Sequence, residues 1–437
     1  MSRTLASLAT LFLSMGILLL GGGLLGTLLS VRMGMEGLRS ETIGLVMACY
    51  SVGFVLATLT CTPIIQRVGH IRCFAAFSAL ACCAALIHGL RVDPWLWGGM
   101  RILFGFSLAG IYMVTESWLN DRTPREFRGR VLSIYIIVTS VALGSGQFLL
   151  NVWDVSGYQL FSLAAILMAV ALVPVALTRV ASPELRPTRR VGLRRLYEIS
   201  PLATVTAFAS GLTNGAFFAL GPVFAVAVGF SINQVATFMG ATILGGLVLQ
   251  YVVGRLSDRF DRRRVITAVT SLVCVVSIGL ALAHEAGVLI VVSMAVVWGG
   301  LNFTIYALAL ALAHDFMSQE ERVPASATML LTHGVGMIAG PVLMARLMGL
   351  VGPEGLYLGF AGIAVTIAVF GWYRTRFGET LPVESQGAYR PAPQTMTATQ
   401  YSVELQVDTE EAQMEFDFES AEPGDGVNAA AMEEETR

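Results

Sequence analysis

Long apolar stretches alternate with short polar ones along most of the chain. A helix needs about 20 apolar residues to cross the hydrocarbon core of a bilayer, and twelve windows of that kind precede residue 377. We therefore predict an all-α membrane protein with twelve transmembrane helices. The predicted spans are 8–30, 42–65, 73–90, 96–118, 131–153, 158–178, 202–227, 234–253, 265–283, 288–313, 326–350 and 356–373.

Composition agrees with this prediction and excludes several kinds of chemistry. The chain is 55% hydrophobic and 13% charged, whereas soluble domains carry about 25% charged residues. All 28 basic residues are arginine, so a Walker A ATPase and lysine Schiff-base chemistry are both excluded. The six cysteines lie in or beside apolar runs, without the spacing of a Cys/His metal site. We expect no disulfide framework, no metal, no cofactor and no enzymatic activity.

The distribution of arginine predicts the orientation in the membrane, because cytoplasmic loops are enriched in positive charge. With the N-terminus in the cytoplasm, 23 arginines fall on the cytoplasmic side and four on the outer side, and Arg101 lies inside a span. This predicts a multi-pass protein of the inner (cytoplasmic) membrane with both termini cytoplasmic. Arginines that flank spans contact the lipid bilayer, and nothing in their pattern indicates nucleic-acid binding.

Changes in composition divide the chain into four parts. The basic stretch 179–200 is predicted to be a cytoplasmic linker between an N-terminal six-helix half, 1–178, and a C-terminal half, 201–376. Residues 377–437 carry 14 acids and 2 arginines and show no apolar periodicity. Such composition is typical of disorder, so we predict an acidic, disordered cytoplasmic tail.

The two halves repeat each other at an offset of 192 to 194 residues. In this alignment Gly37-Leu38 matches Gly229-Phe230, Gly105 and Tyr112 match Gly299 and Tyr306, Asp121 and Arg128 match Asp315 and Arg322, and Gly146-Gln147 matches Gly340-Pro341. Two pseudo-symmetric six-helix halves with a midplane site between them are typical of secondary transporters.

The loop between the eighth and ninth predicted spans contains a recognisable motif, from Gly254 to Arg264. Its sequence, GRLSDRFDRRR, resembles motif A of the major facilitator superfamily, with Asp261 in place of the family's second glycine. Residues 114–119 (VTESWL), together with Gly146-Gln147, resemble the YcaD-type branch of that superfamily. The resemblance implies the major facilitator fold and transport by alternating access, with an unassigned substrate.

The resemblance also implies which residues act in gating. These lie in motif A, in its degenerate first-half counterpart, where Gln66 replaces the acid, and in the loops after the fourth and tenth spans. They are Gly254, Asp258, Arg259 and Arg262; Arg67 and Gly69; Asp121 and Arg128; and Asp315 and Arg322.

Three polar residues of the fourth span share one helical face. At about 100° per residue, Arg101, Tyr112 and Glu116 fall within one stripe, and Arg101 and Glu116 are about 22 Å apart along the axis. Arg101 resembles the superfamily's motif B arginine, although it could instead snorkel to the outer interface. Glu116 is the only acid within a predicted span, so we expect it to couple transport to protons or to pair with loop arginines and help close the gate.

Amide side chains supply further candidates within the spans. Gln147 and Asn151 are four residues apart and are predicted to share a face of the fifth helix, and Asn214 and Asn302 lie in the seventh and tenth. Each either hydrogen-bonds the transported solute or holds helices together. His333 stands alone on an apolar helix, where we expect it to pack.

These patterns predict a proton-coupled secondary transporter of a small organic solute, with export favoured over uptake of a polar metabolite. An alternative from another class is a non-transporting sensor or scaffold whose tail binds a partner, for instance around Phe416 and Phe418. Deletion of residues 377–437 separates the two, because a transporter keeps its flux whereas a scaffold loses its phenotype.

Overall fold

The structure is a computed structural model that describes residues 2–124, 127–177, 191–283, 285–377, 386, 387 and 389. Over these residues its regular secondary structure is entirely helical. Twelve helical segments are long and apolar enough to cross a membrane. The predicted all-α fold with twelve transmembrane helices is therefore confirmed.

The helices are numbered in chain order. They are α1 (Ser2–Met35), α2 (Ser40–Val68), α3 (His70–Leu90), α4 (Pro94–Arg122), α5 (Arg128–Gly146), α6 (Gln159–Val170), α7 (Leu172–Ala176), α8 (Leu193–Ile199), α9 (Pro201–Ala227), α10 (Ile232–Arg259), α11 (Arg262–Leu282), α12 (Val288–Asn302), α13 (Ile305–His314), α14 (Gln319–Val351) and α15 (Gly355–Phe377).

Three spans are interrupted where the sequence pattern predicts continuous helix. The fifth span ends in a 3₁₀-helix at Gln147–Asn151. The sixth breaks at Ala171, between α6 and α7, and Pro174 lacks the N–H that would bond back to Val170. The tenth breaks at Phe303–Thr304, between α12 and α13. A hydropathy window cannot distinguish such breaks from regular helix, because the side chains remain apolar.

Two helices form the centre of the bundle. In α4 and α9, 83% and 89% of the most apolar window is buried inside the protein, against 44% in α3 and in α11. Helices with such low lipid exposure can carry polar side chains without placing them in hydrocarbon. The candidate polar residues of α4 therefore lie in the protein interior.

Neighbouring helices approach so closely that only glycine fits at some crossings. A Cβ on Gly105 of α4 would lie 2.1 Å from the carbonyl oxygen of Tyr50 on α2. A Cβ on Gly299 of α12 would lie 2.4 Å from the carbonyl oxygen of Thr242 on α10. Small residues allow this approach between transmembrane helices. The two contacts occupy equivalent places in the two halves.

A second pair of crossings shows the same correspondence. A Cβ on Gly146 would lie 2.4 Å from the carbonyl oxygen of Leu20, and one on Gly340 would lie 2.1 Å from that of Leu212. These contacts join α5 to α1 and α14 to α9. The repeat found in the sequence therefore corresponds to a repeat of helix packing.

The turns that follow α1 and α9 are also equivalent. Gly37 and Gly229 have positive φ angles of 73° and 86°, which glycine adopts without steric cost. In each turn the next residue donates its N–H to a carbonyl five residues earlier, at 3.1 and 3.0 Å. This is the hydrogen bond of a Schellman motif, which ends a helix and reverses the chain.

The bundle has two different ends. We name the end that carries the α2–α3, α4–α5, α10–α11 and α13–α14 connections the arginine-rich end. At the opposite end the halves touch: the Ser30 hydroxyl donates to the carbonyl of Ala219 at 2.8 Å, and a Cβ on Gly44 would lie 2.6 Å from the carbonyl oxygen of Pro341. At the arginine-rich end a cleft of about 380 Å³ separates α5 from α10. The halves thus touch at one end, and a cleft lies between α5 and α10 at the other.

We expect Gly105→Ala and Gly299→Ala to lower the thermal stability of the detergent-solubilised protein. The added methyl group would force each helix pair apart, and overpacking of this kind costs about 1–3 kcal/mol. Gly362→Ala is the matched control, since a Cβ there meets no atom within 4 Å. Equal unfolding temperatures for all three variants would contradict the close approach.

Candidate functional site

Helix α4 carries the three polar residues predicted to share a face. The helix starts at Pro94, and the Asp93 side chain caps it by accepting a backbone N–H at 2.9 Å, a standard way to begin a helix. Arg101, Tyr112 and Glu116 are 4%, 0% and 0% exposed. Arg101 is therefore enclosed by protein and does not snorkel to the surface.

Arg101 and Tyr112 face a cavity enclosed by α1, α2, α4, α5 and α9. Its polar lining consists of Thr27, Tyr50, Ser51, Arg101, Tyr112 and Gln147, and the rest is apolar or glycine. The cavity measures about 50 Å³, enough for a few water molecules but smaller than the roughly 300–1,000 Å³ of ligand pockets. It must widen before an organic molecule can enter.

Arg101 gives the cavity a positive charge that no described lining residue neutralises. The guanidinium carbon of Arg101 lies 4.7 Å from the centre of the Tyr50 ring, a cation–π contact. Its Nε has no hydrogen-bond partner among the described residues, and the lining contains no aspartate or glutamate. Burying an unpaired cation is costly. The cavity therefore presents unneutralised charge to any molecule that enters.

Gln147 lines the cavity, whereas Asn151 does not. The Gln147 amide donates to the carbonyl of Gly23 at 3.1 Å and accepts a hydrogen bond from the Thr27 hydroxyl, which joins the 3₁₀-helix after α5 to α1. Asn151 is exposed and donates to a carbonyl within its own 3₁₀ turn at 3.2 Å. The predicted shared face does not form, because a 3₁₀-helix repeats every three residues rather than 3.6.

Glu116 lies outside the cavity lining, nearer the arginine-rich end. Its carboxylate accepts a hydrogen bond from the Tyr135 hydroxyl of α5 at 3.1 Å. The helical rise places it about 22 Å from Arg101, so the two charges do not pair. Tyr112, one turn before Glu116, lines the cavity, and its hydroxyl has no hydrogen-bond partner among the described residues. The stripe thus leads from the cavity to a buried acid.

The asparagines of the second half bond to each other. The Asn302 amide donates to the side-chain oxygen of Asn214 at 2.7 Å, linking α12 to α9, and neither residue lines the cavity. The Nδ1 atom of His333 lies 3.1 Å from the carbonyl oxygen of Ala207, and its ring packs against Tyr306 with centroids 4.7 Å apart. These side chains hold the second half together in this conformation.

Arg262 is the centre of the charged cluster formed by motif A. Its guanidinium lies 2.6 Å from the Asp315 carboxylate and donates to the carbonyl of Ala311 at 3.0 Å and to the Ser257 hydroxyl at 3.1 Å. The paired side chains are 1% and 2% exposed. Asp258 lies 4.0 Å from Arg262. Burial raises the pKa of Asp315, and the Arg262 charge opposes that rise.

The departure of motif A from the family pattern has a local explanation. Asp261, which replaces the family's second glycine, accepts the backbone N–H of Arg263 at 2.8 Å and caps α11. In the first half the corresponding turn is made by Gly69, whose φ angle is +91°. One turn uses a side-chain cap and the other uses the conformational freedom of glycine.

The first-half counterpart of the motif is held by a neutral hydrogen bond. At the repeat offset His70 corresponds to Arg262, and its Nε2 lies 2.8 Å from the Ser117 hydroxyl. Asp121, which corresponds to Asp315, is 46% exposed and lies 3.5 Å from the adjacent Arg122. At these equivalent positions the second half has a buried ion pair and the first half has an exposed one.

The remaining gating candidates occupy different environments. Arg67 and Arg259 are exposed. Arg128 donates to two carbonyl oxygens at the end of α4, at 3.3 and 3.4 Å. Arg322 is half-buried and interacts electrostatically with Asp315. The structure thus brings together Asp258, Arg262, Asp315 and Arg322, whereas Arg67 and Arg259 face solvent.

Several residues of the site were not predicted from the sequence. Thr27, Tyr50 and Ser51 line the cavity, but only the packing of α1 and α2 shows which of their faces point inwards. His70 could have been found, because the repeat offset aligns it with Arg262.

Comparison with known proteins identifies the family. The profile of the Major Facilitator Superfamily matches residues 11–329 and 203–403. The chain belongs to the major facilitator superfamily. It is accordingly a multi-pass transport protein and not an enzyme.

Named relatives agree with this assignment. The chain is 26% identical over 334 residues to "Uncharacterized MFS-type transporter YcaD" of Escherichia fergusonii, covering 76% of this chain and 86% of the relative. The protein of that name from Escherichia coli O17:K52:H18 is 27% identical over 337 residues, with the same coverage. The predicted resemblance to the YcaD-type branch is confirmed.

Solved structures share the fold. The nucleoside transporter NupG matches with a TM-score of 0.69 and 13% identity, covering 86% of this chain and all of that one (100%). A bacterial homolog of the human lysosomal transporter Spinster, in an inward-facing and unoccupied conformation, matches with a TM-score of 0.67 and 15% identity, covering 95% and 98%. The predicted major facilitator fold is confirmed.

We expect Arg262→Ala to destabilise the transporter by about 3 kcal/mol, because breaking a buried ion pair leaves the other charge uncompensated. Arg259→Ala, a change of the same type at an exposed position of the same motif, should have little effect. Unfolding of the two purified variants in detergent micelles measures the difference. Equal stabilities would show that the Arg262–Asp315 pair does not hold this end of the bundle.

Proposed function

We propose that the protein is a secondary active transporter that moves a small organic solute by alternating access and couples this movement to protons. The observation that carries the proposal is the small polar cavity between the halves of a bundle that is closed at one end and parted, between α5 and α10, at the other. Two repeated halves can rock about such a site and expose it to either side in turn.

We place the arginine-rich end in the cytoplasm and the chain in the inner membrane. The positive-inside rule supports this orientation, and both chain termini then lie on the cytoplasmic side. Exposed apolar side chains along the spans, such as Leu13, Leu80 and Val248, support direct contact with lipid. In this orientation the conformation is inward-facing.

The charge of the cavity favours one class of solute. Arg101 is its only charged lining residue, and the second half contributes only apolar residues and glycine, namely Gly215, Phe218 and Ala219. An anionic group bound by Arg101 would supply the missing counter-charge, since charge-assisted hydrogen bonds are strong. The substrate is a partly apolar organic molecule that carries a carboxylate or a similar anion.

Glu116 is the coupling carboxylate in this proposal. Burial disfavours the charged form of a carboxyl group, and Tyr135 donates a hydrogen bond to it. Its position between the cavity and the arginine-rich end would allow a proton taken up on one side to be released on the other. The rival role, in which Glu116 only closes the gate, predicts a different response to mutation.

A ligand screen is the first experiment, because the other tests need a substrate. Purified transporter is heated with a library of organic anions and matched neutral amides or esters. A ligand that binds only the folded state raises the unfolding temperature by mass action. Anions should stabilise the protein and their neutral analogues should not. Stabilisation by neutral or cationic compounds alone would contradict the substrate class.

We expect Arg101→Gln to weaken binding of the identified anion by roughly 10- to 100-fold, which corresponds to the 1.5–3 kcal/mol of a hydrogen bond to a charged group. Isothermal titration in detergent measures the affinity. Arg91→Gln, which removes an exposed arginine just before α4, is the matched control and should bind normally. Unchanged affinity in Arg101→Gln would remove this residue from the binding site.

We expect Glu116→Gln to abolish uphill transport driven by a pH gradient while preserving downhill exchange of substrate. Glutamine keeps the shape of the side chain but cannot titrate at this position. The measurement uses proteoliposomes, with gradients of either sign so that the direction of transport is also determined.

Two outcomes count against this role of Glu116. If uphill transport retains the pH dependence of the unmodified protein, Glu116 is not the coupling site. If exchange is lost as well, Glu116 closes the gate instead. Tyr135→Phe, which removes only the hydrogen-bond donor, should shift the pH dependence and leave exchange intact.

A further inference from the structure

Two residues of the acidic tail contact the charged cluster of motif A. We name Gly387 and Tyr389 the tail anchor. The Gly387 N–H donates to the Asp315 carboxylate at 3.1 Å, and the Gly387 carbonyl accepts a hydrogen bond from Arg262. The Tyr389 N–H donates to the Asp258 carboxylate at 2.6 Å. Asp315, Arg262 and Asp258 thus each form a hydrogen bond with one backbone group of the anchor. The prediction of a disordered tail therefore does not apply to these two residues.

The side chain of Tyr389 packs where motif A has its first glycine. A Cβ on Gly254 would lie 2.5 Å from Cδ1 of the Tyr389 ring. The ring is therefore in contact with the backbone of α10, and a larger residue at position 254 would displace it. Gly254 thus leaves the space that the aromatic ring occupies.

Tyr389 also lines the cleft that separates the two halves. The other walls include Ile137 of α5 and Gln250 of α10. At the opposite end of the bundle the same two helices are in contact, since a Cβ on Gly144 of α5 would lie 3.0 Å from the Leu244 side chain of α10. Contact of this kind at the arginine-rich end would leave no space for a tyrosine ring.

We propose that the tail anchor is an autoinhibitory wedge. While Gly387 and Tyr389 are bound, the ring occupies part of the cleft between α5 and α10 and prevents the two helices from closing together, which keeps the transporter in the conformation described above. The anchor must leave before the cleft can close and the opposite end can open. Its effect on turnover rests on the proposed alternating-access function, but its binding to the cluster does not.

Charge supports both the binding and its reversibility. The anchor binds through backbone groups to two carboxylates and a guanidinium, and hydrogen bonds to charged partners are stronger than neutral ones. In the sequence, residues 377–437 carry 14 acids, while α10 and α11 present the exposed residues Arg255, Arg259 and Arg264. Attraction between these exposed charges is weakened by salt, so the part of the binding that depends on them is reversible.

Docking can be tested without a substrate by photo-cross-linking in the full-length chain. A benzoylphenylalanine placed at position 389 should cross-link to peptides that contain Ile137 or Gly254, as identified by mass spectrometry after illumination. The same group at position 401, which replaces Tyr401 in the same tail, is the matched control. If position 389 cross-links to these helices no more than position 401, the anchor does not dock.

Wedging is tested by the distance between the halves. Spin labels on Arg130→Cys of α5 and Leu256→Cys of α10, both exposed positions, report this distance in a chain whose six native cysteines are replaced by alanine. Tyr389→Ala should add a population with a shorter distance, and Tyr401→Ala should not. Identical distance distributions with and without Tyr389 would overturn the wedge even if the tail docks.

Transport provides the third measurement. If the anchor is bound about two-thirds of the time, Tyr389→Ala or truncation after Phe377 should raise turnover about threefold. A synthetic peptide of residues 383–393 should then inhibit the truncated chain, and its tyrosine-to-alanine version should not. Turnover that is unchanged or lower in Tyr389→Ala overturns autoinhibition.

A different result would count against the proposed function alone. If no variant transports substrate while the cross-links and spin-label distances are as expected, the proposed transport function is wrong and the docking of the tail anchor is still supported.

Discussion

Direct contact between the backbones of neighbouring helices underlies the rest of this structure. At Gly105 and Gly146 in the first half, and at Gly299 and Gly340 in the second, a helix lies against a carbonyl oxygen of its neighbour with no room for a side chain. In lipid the hydrophobic effect does not bring helices together, so close packing has to do so. Each half is consequently a closely packed unit, and the same kind of contact, at Gly44 and Pro341, also joins the two halves at one end of the bundle.

On this common framework the two halves carry different polar groups. The first half places an unpaired guanidinium and a buried carboxyl along α4, while the second buries an ion pair between α11 and the residue after α13. Equivalent positions carry different side chains. His70 is hydrogen-bonded to Ser117 in the first half, whereas in the second half Arg262 donates to the carbonyl of Ala311. The repeat thus preserves packing, and its charges have diverged.

The elements of the fold could be read from the sequence because each depends on local composition. Twelve apolar windows indicate the spans, a fixed offset reveals the repeat, and helical periodicity is sufficient to place Arg101 and Tyr112 on one face. The contacts that could not be predicted from the sequence depend on geometry that periodicity does not contain. Asn151 turns away because the fifth span ends in a 3₁₀-helix, and Asn214 and Asn302 meet although 88 residues separate them. The contact of Tyr389 with Gly254 joins segments with no common pattern, so it could only be found in three dimensions.

The buried charge of Arg101 has a consequence for which ions could pass through the proposed transport path. A transporter that opens to either side of a membrane must not let protons or metal cations pass whenever its cavity contains water. A fixed guanidinium in a cavity with room for only a few water molecules repels a second positive charge strongly, because little solvent is present to screen the two. Positively charged groups in narrow pores exclude cations and protons in this way. In the proposed transport cycle the arginine would therefore act as an electrostatic barrier against cations that are not bound to a substrate or a coupling group.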